Sequence, residues 1–286
     1  MTASVNCKPA NNVHNMHMRH DTASAPEGTQ SIQRAIALLR EAAEKAPGGS
    51  WRLSELAARC DIDRTTAHRI LKCLVAERLI MRSPDGQRYR LGPLAFELGL
   101  AAQPIIDLRS LCSDALTRLA DRCGDTVFLI VRSGLDAVCM DRREGHYPIK
   151  ALTVEIGTRR PLCASAGGLA MLMLLPKEVR RRVIVENARR LATTTRLGVR
   201  TLTTMLDESM AAGYGLSHDR IIPGVVAIGV PIRDFRHEPL AALSVTAISE
   251  RLGTTRRPEI VAMLRAEAAA IERALQKHDT RQTRSE

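Results

Sequence analysis

Residues 53–92, LSELAARCDIDRTTAHRILKCLVAERLIMRSPDGQRYRLG, constrain the fold of this 286-residue chain more than any other stretch. They read as a short helix, a tight Asp-Ile-Asp connection, a longer helix, and two strands flanking the turn tripeptide Pro84-Asp85-Gly86. In the longer helix Ala67, Ile70, Leu71 and Leu74 recur at the spacing of a packed stripe, whereas Thr65, His68, Arg69 and Lys72 repeat that spacing on another face. One face packs and the other is free to read a surface. Asp63 is expected to cap this helix and Ser54 the shorter one, because a side-chain oxygen accepts hydrogen bonds from amides the first turn leaves unpaired. The hairpin is expected to expose Arg82, Arg88 and Arg90.

Upstream, SIQRAIALLREAAEK carries Ile32, Ala35, Ile36 and Leu39 at the i, i+3, i+4, i+7 spacing of an amphipathic helix, with Ser31 as N-cap and APGGS as its end. Three helices, a short second-to-third turn and a terminal hairpin make a winged helix-turn-helix, which sets its third helix in the DNA major groove and its wing along the backbone. Charge agrees. The chain has a formal charge of +11, a sign that fits nucleic acid or a membrane surface equally. Residues 28–92 hold 12 Lys and Arg against 7 Asp and Glu, while the three-times-longer remainder, 93–286, holds 28 against 22, so positive charge concentrates where the helices are. Arg64, Thr65, Thr66, His68 and Arg69 are the expected contacts to the groove or its flanking phosphates, Arg64 being the candidate for a bidentate guanine contact. Ser54 joins this set, and Arg34, Arg88 and Arg90 are expected on phosphates, setting affinity without reading sequence.

Residues 1–27 are rich in Asn, His, Ser, Thr and Pro without periodicity and read as a disordered leader. His14, His17 and His20 recur there beside methionines, but a metal site needs a fold to hold its ligands, so no metal is expected; Met16 and Met18 are alternative starts. Seven cysteines, at 7, 60, 73, 112, 123, 139 and 163, include no C-x-x-C pair and read as reduced thiols of a cytoplasmic protein. No apolar run is long enough to span a bilayer.

The rest of the chain reads as α+β. DTVFLIVRSGLDAVCMDRR is expected to form two strands around a Ser-Gly-Leu-Asp turn, and VVAIGVPIRDFRHEPLAALSVTAI a second antiparallel pair. Helices near 105–122, 163–175, 177–190, 201–212 and 257–276 alternate with them. Ser244 and Thr246, two apart in a strand, share one face while Leu243 and Val245 take the other. CASAGG is expected to open a helix whose small residues let backbone amides approach a ligand, at an end that favours negative charge. A carboxylate held between residues 163–168 (Cys163, Ala164 and Ser165 among them) and Ser244 with Thr246 is the expected ligand. The alternative is that these hydroxyls bond neighbouring backbone and the small residues serve packing.

QSIQRAIALL, LSELAARCDIDRTTAHRILKCLVAERLI and RYRLGPLAFELG resemble the DNA-binding domain of the IclR family of bacterial transcription regulators. GTRRPLCASAGGLAMLMLLP, AAGYGLSHDRIIPGVVAIGVPIRD and EPLAALSVTAI resemble its effector domain, so the likeness covers about residues 28–277. The resemblance implies a winged helix-turn-helix over 28–92, a linker helix over 93–103 that helps dimerisation, a GAF-like effector domain over 104–277 and a polar tail over 278–286. It implies an operator DNA partner, a small organic-acid effector, assembly as dimers or dimers of dimers, and no cofactor. It also puts Ser217 and Ala227 at the border of the effector cavity. The sequence departs from the family pattern at Asp61, where glycine is usual, at Cys163 and Leu169, where histidine and lysine are common, and at Ala227, which is polar or a thiol in relatives. Two other classes stay open: an enzyme with Cys163 or Ser165 as nucleophile and His218 or His237 as base, and a DNA-binding protein whose larger half only oligomerises.

Overall fold

A computed structural model describes residues 28–43, 49–101, 107–192, 195, 197–234 and 236–282. The expected leader with its histidines and alternative starts lies outside these residues, as do most of the APGGS segment and the last two linker positions.

The first unit contains α1 (Gln30–Ala42), β1 (Trp51–Arg52), α2 (Leu53–Arg59), α3 (Arg64–Ala76), β2 (Ile80–Arg82) and β3 (Arg88–Leu91). The three strands form one antiparallel sheet in the order β1-β3-β2, with Trp51 and Arg82 both opposite Tyr89. This is a winged helix-turn-helix. Its core joins Leu38, Trp51, Leu56, Ala67, Leu71, Ile80 and Tyr89 from every element.

Three local expectations are corrected. Helix α1 starts one residue before Ser31, with Thr29 as its N-cap, and its core face carries Leu38 and Ala42 while Ile32 and Ile36 are 61% and 42% exposed. Of the stripe predicted from spacing, Ala35 and Leu39 do pack on the core, and Ile32 and Ile36 do not, because the core centres on the neighbouring row. Ser54 lies inside α2 and is exposed: the cap position belongs to extended Arg52, whose amide donates to Glu55 Oε2 at 2.8 Å. Arg88 is half-buried, its Nη1 donating to the Ser50 carbonyl oxygen at 3.3 Å. By contrast Asp63 does cap α3, accepting from the Thr66 amide at 2.8 Å, and hydrogen bonds from Thr66 hold its carboxyl below the usual range. Asp61 adopts a φ of 53°, the left-handed conformation that glycine supplies at such a turn and that Asp tolerates better than most residues.

Helix α4 (Pro93–Ala101) follows and buries none of its side chains; Phe96 is 69% exposed. The second unit then runs α5 (Leu108–Cys123), β4 (Thr126–Ser133), β5 (Asp136–Arg143), β6 (Arg159–Pro161), α6 (Ala166–Met173), α7 (Lys177–Leu191), α8 (Val199–Ala212), β7 (Gly215–His218), β8 (Val225–Arg233), β9 (Pro239–Ile248) and α9 (Arg257–Gln282). Its six strands form an antiparallel sheet in the order β6-β5-β4-β9-β8-β7. Alternation sorts the side chains: Val127, Leu129, Leu243 and Val245 face a core with α5 and α9, and Phe128 and Ile130 face another with α6, α7 and α8.

The expected helices are present with shifted ends, and α9 runs through Gln282, past the 277 boundary set for the domain. The span 163–175 is corrected: Leu162–Ala164 is a separate 3₁₀ turn, and extended Ser165 breaks it from α6. The short strands β1, β6 and β7 were not predicted, since two to four residues are too few to show a period. Buried, paired carboxylates fasten the unit, Asp136 and Asp125 among them. Asp136 pairs with Arg190 (2.8 Å) and Arg159 (3.1 Å), and Asp125 with Arg251 (2.6 Å) and Arg256 (2.7 Å). A buried charge is tolerated only when paired in this way.

Candidate nucleic-acid interface and ligand cavity

The head of α3 stands between two grooves. On the wing side, Arg64 and His68 share a groove with Arg52 and Ser54 at the start of α2 and with Arg82 and Gln87 of the hairpin. On the other side, Thr66 and Arg69 face Arg34 of α1 across a second groove. Arg64, Thr65, His68, Arg69 and Lys72 are exposed, while Ala67, Leu71 and Leu74 are buried beneath them. The amphipathic division of α3 therefore orients a polar, cationic ridge outward, and no acidic side chain is among the described residues lining either groove.

The hairpin arginines divide by strand alternation. Arg82 opposes Tyr89, with its guanidinium 5.7 Å from the ring centroid on the groove side. Arg88 and Arg90 point to the other face of β3 and line neither groove. Sequence reading noted Arg82 as exposed but ranked Arg88 and Arg90 above it, and it did not single out Arg52. The register of β3 against β1 and β2 carries that information, and register is a tertiary property.

In the second unit a cavity of about 60 Å³ lies between the sheet and the start of α6. Across the strands, Thr126, Thr246, Ala227 and Ser217 stand in one cross-strand row, and Phe128 and Ser244 in the next. Ala164, Ser165, Ser217, Ala227, Ser244 and Thr246 all border the cavity. Cys163 does not. It is fully buried among the core of α6 to α8, and burial pushes its thiol up to about 12. Its proposed place beside a ligand is corrected: the 3₁₀ turn aims it into the core instead.

The two readings of the small and hydroxyl residues divide between positions. Ser165 caps α6, accepting from the Gly168 amide at 3.0 Å, so its hydroxyl serves the backbone. The glycines serve close packing: a Cβ on Gly215 or Gly229 would overlap the Ala166 carbonyl, and one on Gly167 would meet Ile130 Cγ1 at 2.9 Å. The hydroxyls of Ser217, Ser244 and Thr246, by contrast, border the cavity and bond no neighbouring described side chain or backbone group. Apolar walls with a few convergent polar groups characterise small-molecule sites.

The residues weighed for catalysis do not assemble. Ser165 is engaged as a cap, the Cys163 thiol is held protonated, and His218 and His237 do not line the cavity. The His218 ring lies 3.4 Å from the Arg257 guanidinium, and burial followed by that charge lowers its pKa. Among the described residues no three His, Cys, Asp or Glu side chains converge as a metal site would need, and no helix is long and apolar enough to cross a membrane.

Comparison with known proteins bears on both regions. Residues 31–84 match the IclR helix-turn-helix domain, and residues 102–273 match the bacterial transcriptional regulator IclR C-terminal domain. The HTH-type transcriptional repressor AllR of Klebsiella pneumoniae is 30% identical over 253 residues, covering 88% of this chain and 92% of that protein. AllR of Escherichia coli K12 is 28% identical over 252 residues, with the same coverages. Among solved structures, an IclR homologue of Microbacterium hydrocarbonoxydans complexed with 4-hydroxybenzoate superposes with a TM-score of 0.67 at 26% identity, covering 86% of this chain and 99% of that one. An IclR regulator of Alicyclobacillus acidocaldarius gives 0.68 at 23% identity, covering 86% and 98%.

Proposed function

The chain belongs to the IclR family of bacterial transcriptional regulators, and from that premise we propose that it binds a pseudo-palindromic operator as a dimer or dimer of dimers and is switched by a small carboxylate. The observation that carries this reading is the cationic head of α3, flanked by two grooves with no acidic side chain among their described lining residues and seated on a winged scaffold. Arg64 contacts a base edge, with Thr65, Thr66, His68 and Arg69 beside it. Arg34, Arg52 and Arg82 hold phosphates, and Ser54 lies close enough to join them. Two copies present two such helices at the spacing of two half-sites.

The hydroxyl-lined cavity receives the effector. The complex of the Microbacterium homologue with 4-hydroxybenzoate supports an organic acid as the ligand class. A ligand shifts DNA affinity only if it binds the two arrangements of the dimer unequally, so effector affinity and operator affinity must be coupled. The protein works in the cytoplasm, where its DNA is, and needs no cofactor. Catalysis is disfavoured by the burial of Cys163, and a purely oligomeric role for the second unit by the open hydroxyls of its cavity.

The test is binding of the purified protein to its own upstream intergenic DNA against shuffled DNA, with and without a panel of small carboxylates. Specific binding altered by an acid is expected, and Arg64→Ala should lower operator affinity by about 1–3 kcal/mol while sparing binding to random DNA. Equal affinity for both DNAs, or indifference to Arg64, would overturn the assignment.

A further inference from the structure

Just past the end of α3, Arg78 holds a φ of 59°, a left-handed conformation that favours glycine, and the start of α4 is built on that turn. We infer that the backbone joint made by Arg78, Gly92 and Leu94 fixes the angle between α3 and α4, and so sets which spacing of half-sites two copies accept, a reading that rests on the operator-binding dimer proposed above.

The joint follows from how α3 ends. The Leu79 amide donates to the Leu74 carbonyl oxygen and the Arg78 amide to that of Val75, each at 3.0 Å, and this pair of bonds requires a left-handed residue between helix and strand. The turn aims the Arg78 carbonyl at α4, where it accepts from the Leu94 amide at 3.1 Å, one of the donors that a first helical turn leaves unpaired. Beside it the Gly92 amide donates to the Leu79 carbonyl oxygen at 2.8 Å, extending the β2–β3 ladder by one step. Gly92 is buried in this corner, and a Cβ there would overlap the Arg78 carbonyl and meet the Ile80 carbonyl carbon at 3.1 Å. These are backbone atoms, which cannot swing aside as a side chain does. Arg78 Nη2 also reaches Glu97 Oε1 at 3.0 Å, but the two side chains are 64% and 49% exposed, and an exposed ion pair contributes little. The backbone holds the angle.

Along α4, Pro93, Leu94 and Ala95 are half-buried and the residues from Phe96 to Ala101 are exposed, so its first turn is where α4 is held to the DNA-binding unit. The chain reaches the second unit through α4. Whether two copies meet through α4 or through the second unit, the separation and direction of their α3 helices are therefore transmitted through this joint. Moving one half-site by a base pair carries it about 3.4 Å along the duplex and about 35° around it. A stiff joint cannot follow that displacement, and a loose one can. Stiffness here comes from the close approach at Gly92 and from the carbonyl of Arg78, neither of which touches DNA in the reading above. Both are positioning residues: they select the distance between half-sites, while the head of α3 selects their sequence.

The test is selection of binding sites from a pool of randomised duplexes by the full-length protein and by two variants. Gly92→Ala pushes the joint apart. The second carries one extra glycine between Gly92 and Pro93, which keeps the β2–β3 ladder and moves the Leu94 amide off the Arg78 carbonyl. Affinities are then measured by anisotropy for duplexes that carry the selected half-site alone or paired at successive spacings. The parent should favour one spacing over those one base pair longer or shorter by at least about tenfold, and both variants should reduce that ratio below about threefold. The selected half-site sequence should be unchanged, and affinity for a single half-site should stay within about twofold of the parent's, which a damaged DNA-binding domain would not give. Glu97→Gln, which removes only the exposed ion pair, should keep the parent's ratio. The unfolding temperature reports folding, and the glycine insertion, which adds no bulk, carries the test should Gly92→Ala fail to fold. If the folded variants keep the parent's ratio, or lose single half-site affinity as much as paired affinity, or if Glu97→Gln alone flattens the ratio, the backbone joint is overturned while the operator-binding dimer stands. If the parent selects no paired half-sites, the dimer reading and this inference fall together.

Discussion

At the scale of single residues, what decides function here is which neighbour a side chain is already committed to. Arg88 and Arg82 sit in the same hairpin and are indistinguishable by charge, yet Arg88 turns to the Ser50 carbonyl and Arg82 stands over Tyr89 in the groove beside Arg64. Each Lys or Arg that neutralises a phosphate contributes about one unit to the slope of log affinity against log salt concentration. Arg82→Ala should therefore flatten that slope by about one unit, and Arg88→Ala should leave it nearly unchanged while lowering thermal stability slightly. Equal slopes for the two variants, measured by anisotropy from 50 to 300 mM salt, would show that the hairpin lies differently on DNA. Arg159 and Arg160 repeat the lesson. The Arg-Arg pair was visible in GTRRPL, but only the strand assignment divides it into one structural and one cavity-facing residue.

At the scale of elements, the start of α6 is held against β7 and β8 by the absence of side chains. Gly215 and Gly229 lie under the Ala166 carbonyl, and Gly167 packs on Ile130. This close approach brings Ala164 to Gly167 within reach of the cavity and forms one of its walls. Gly215→Ala should cost about 1–3 kcal/mol by forcing helix and sheet apart, and it should weaken acid binding more than operator binding. Gly99→Ala, at an exposed position inside α4 with open space around its Cα, is the control and should be neutral or slightly stabilising in urea unfolding. A Gly215→Ala protein as stable as the parent would mean that α6 sits farther from the sheet. The small residues of CASAGG signal closeness of something, and whether that is a ligand or a strand depends on what packs there; Gly167 and Gly168 meet protein, not open space.

At the scale of the whole molecule, the thiols report how completely each core is closed. Burial pushes Cys60, Cys112, Cys139 and Cys163 up to about 12, and Cys123 upward as well, so none supplies thiolate near neutral pH. Cys73 is exposed on α3, in the groove shared with Arg34 and Arg69. In a Cys7→Ser background, a thiol reagent at pH 8 should modify Cys73 in the native protein and the other five only in denaturant, and bound operator should slow the Cys73 reaction. Rapid native labelling of Cys163 would contradict the burial assigned to it.

The order of elements, the winged helix-turn-helix, the hairpins and the apolar alternation of β4, β8 and β9 were legible in the linear pattern, because each depends on neighbours within one or two turns or one strand. The capping role of Asp63 was legible for the same local reason. Tertiary structure decided which row of α1 faces the core, which hairpin arginine faces the groove, that Cys163 turns away from the cavity, and that Arg160 turns into it. Those outcomes depend on register and on packing between residues far apart in the chain, and a shift of one residue in a strand exchanges its two faces. Local chemistry specifies the elements; only their mutual register specifies which side chains meet.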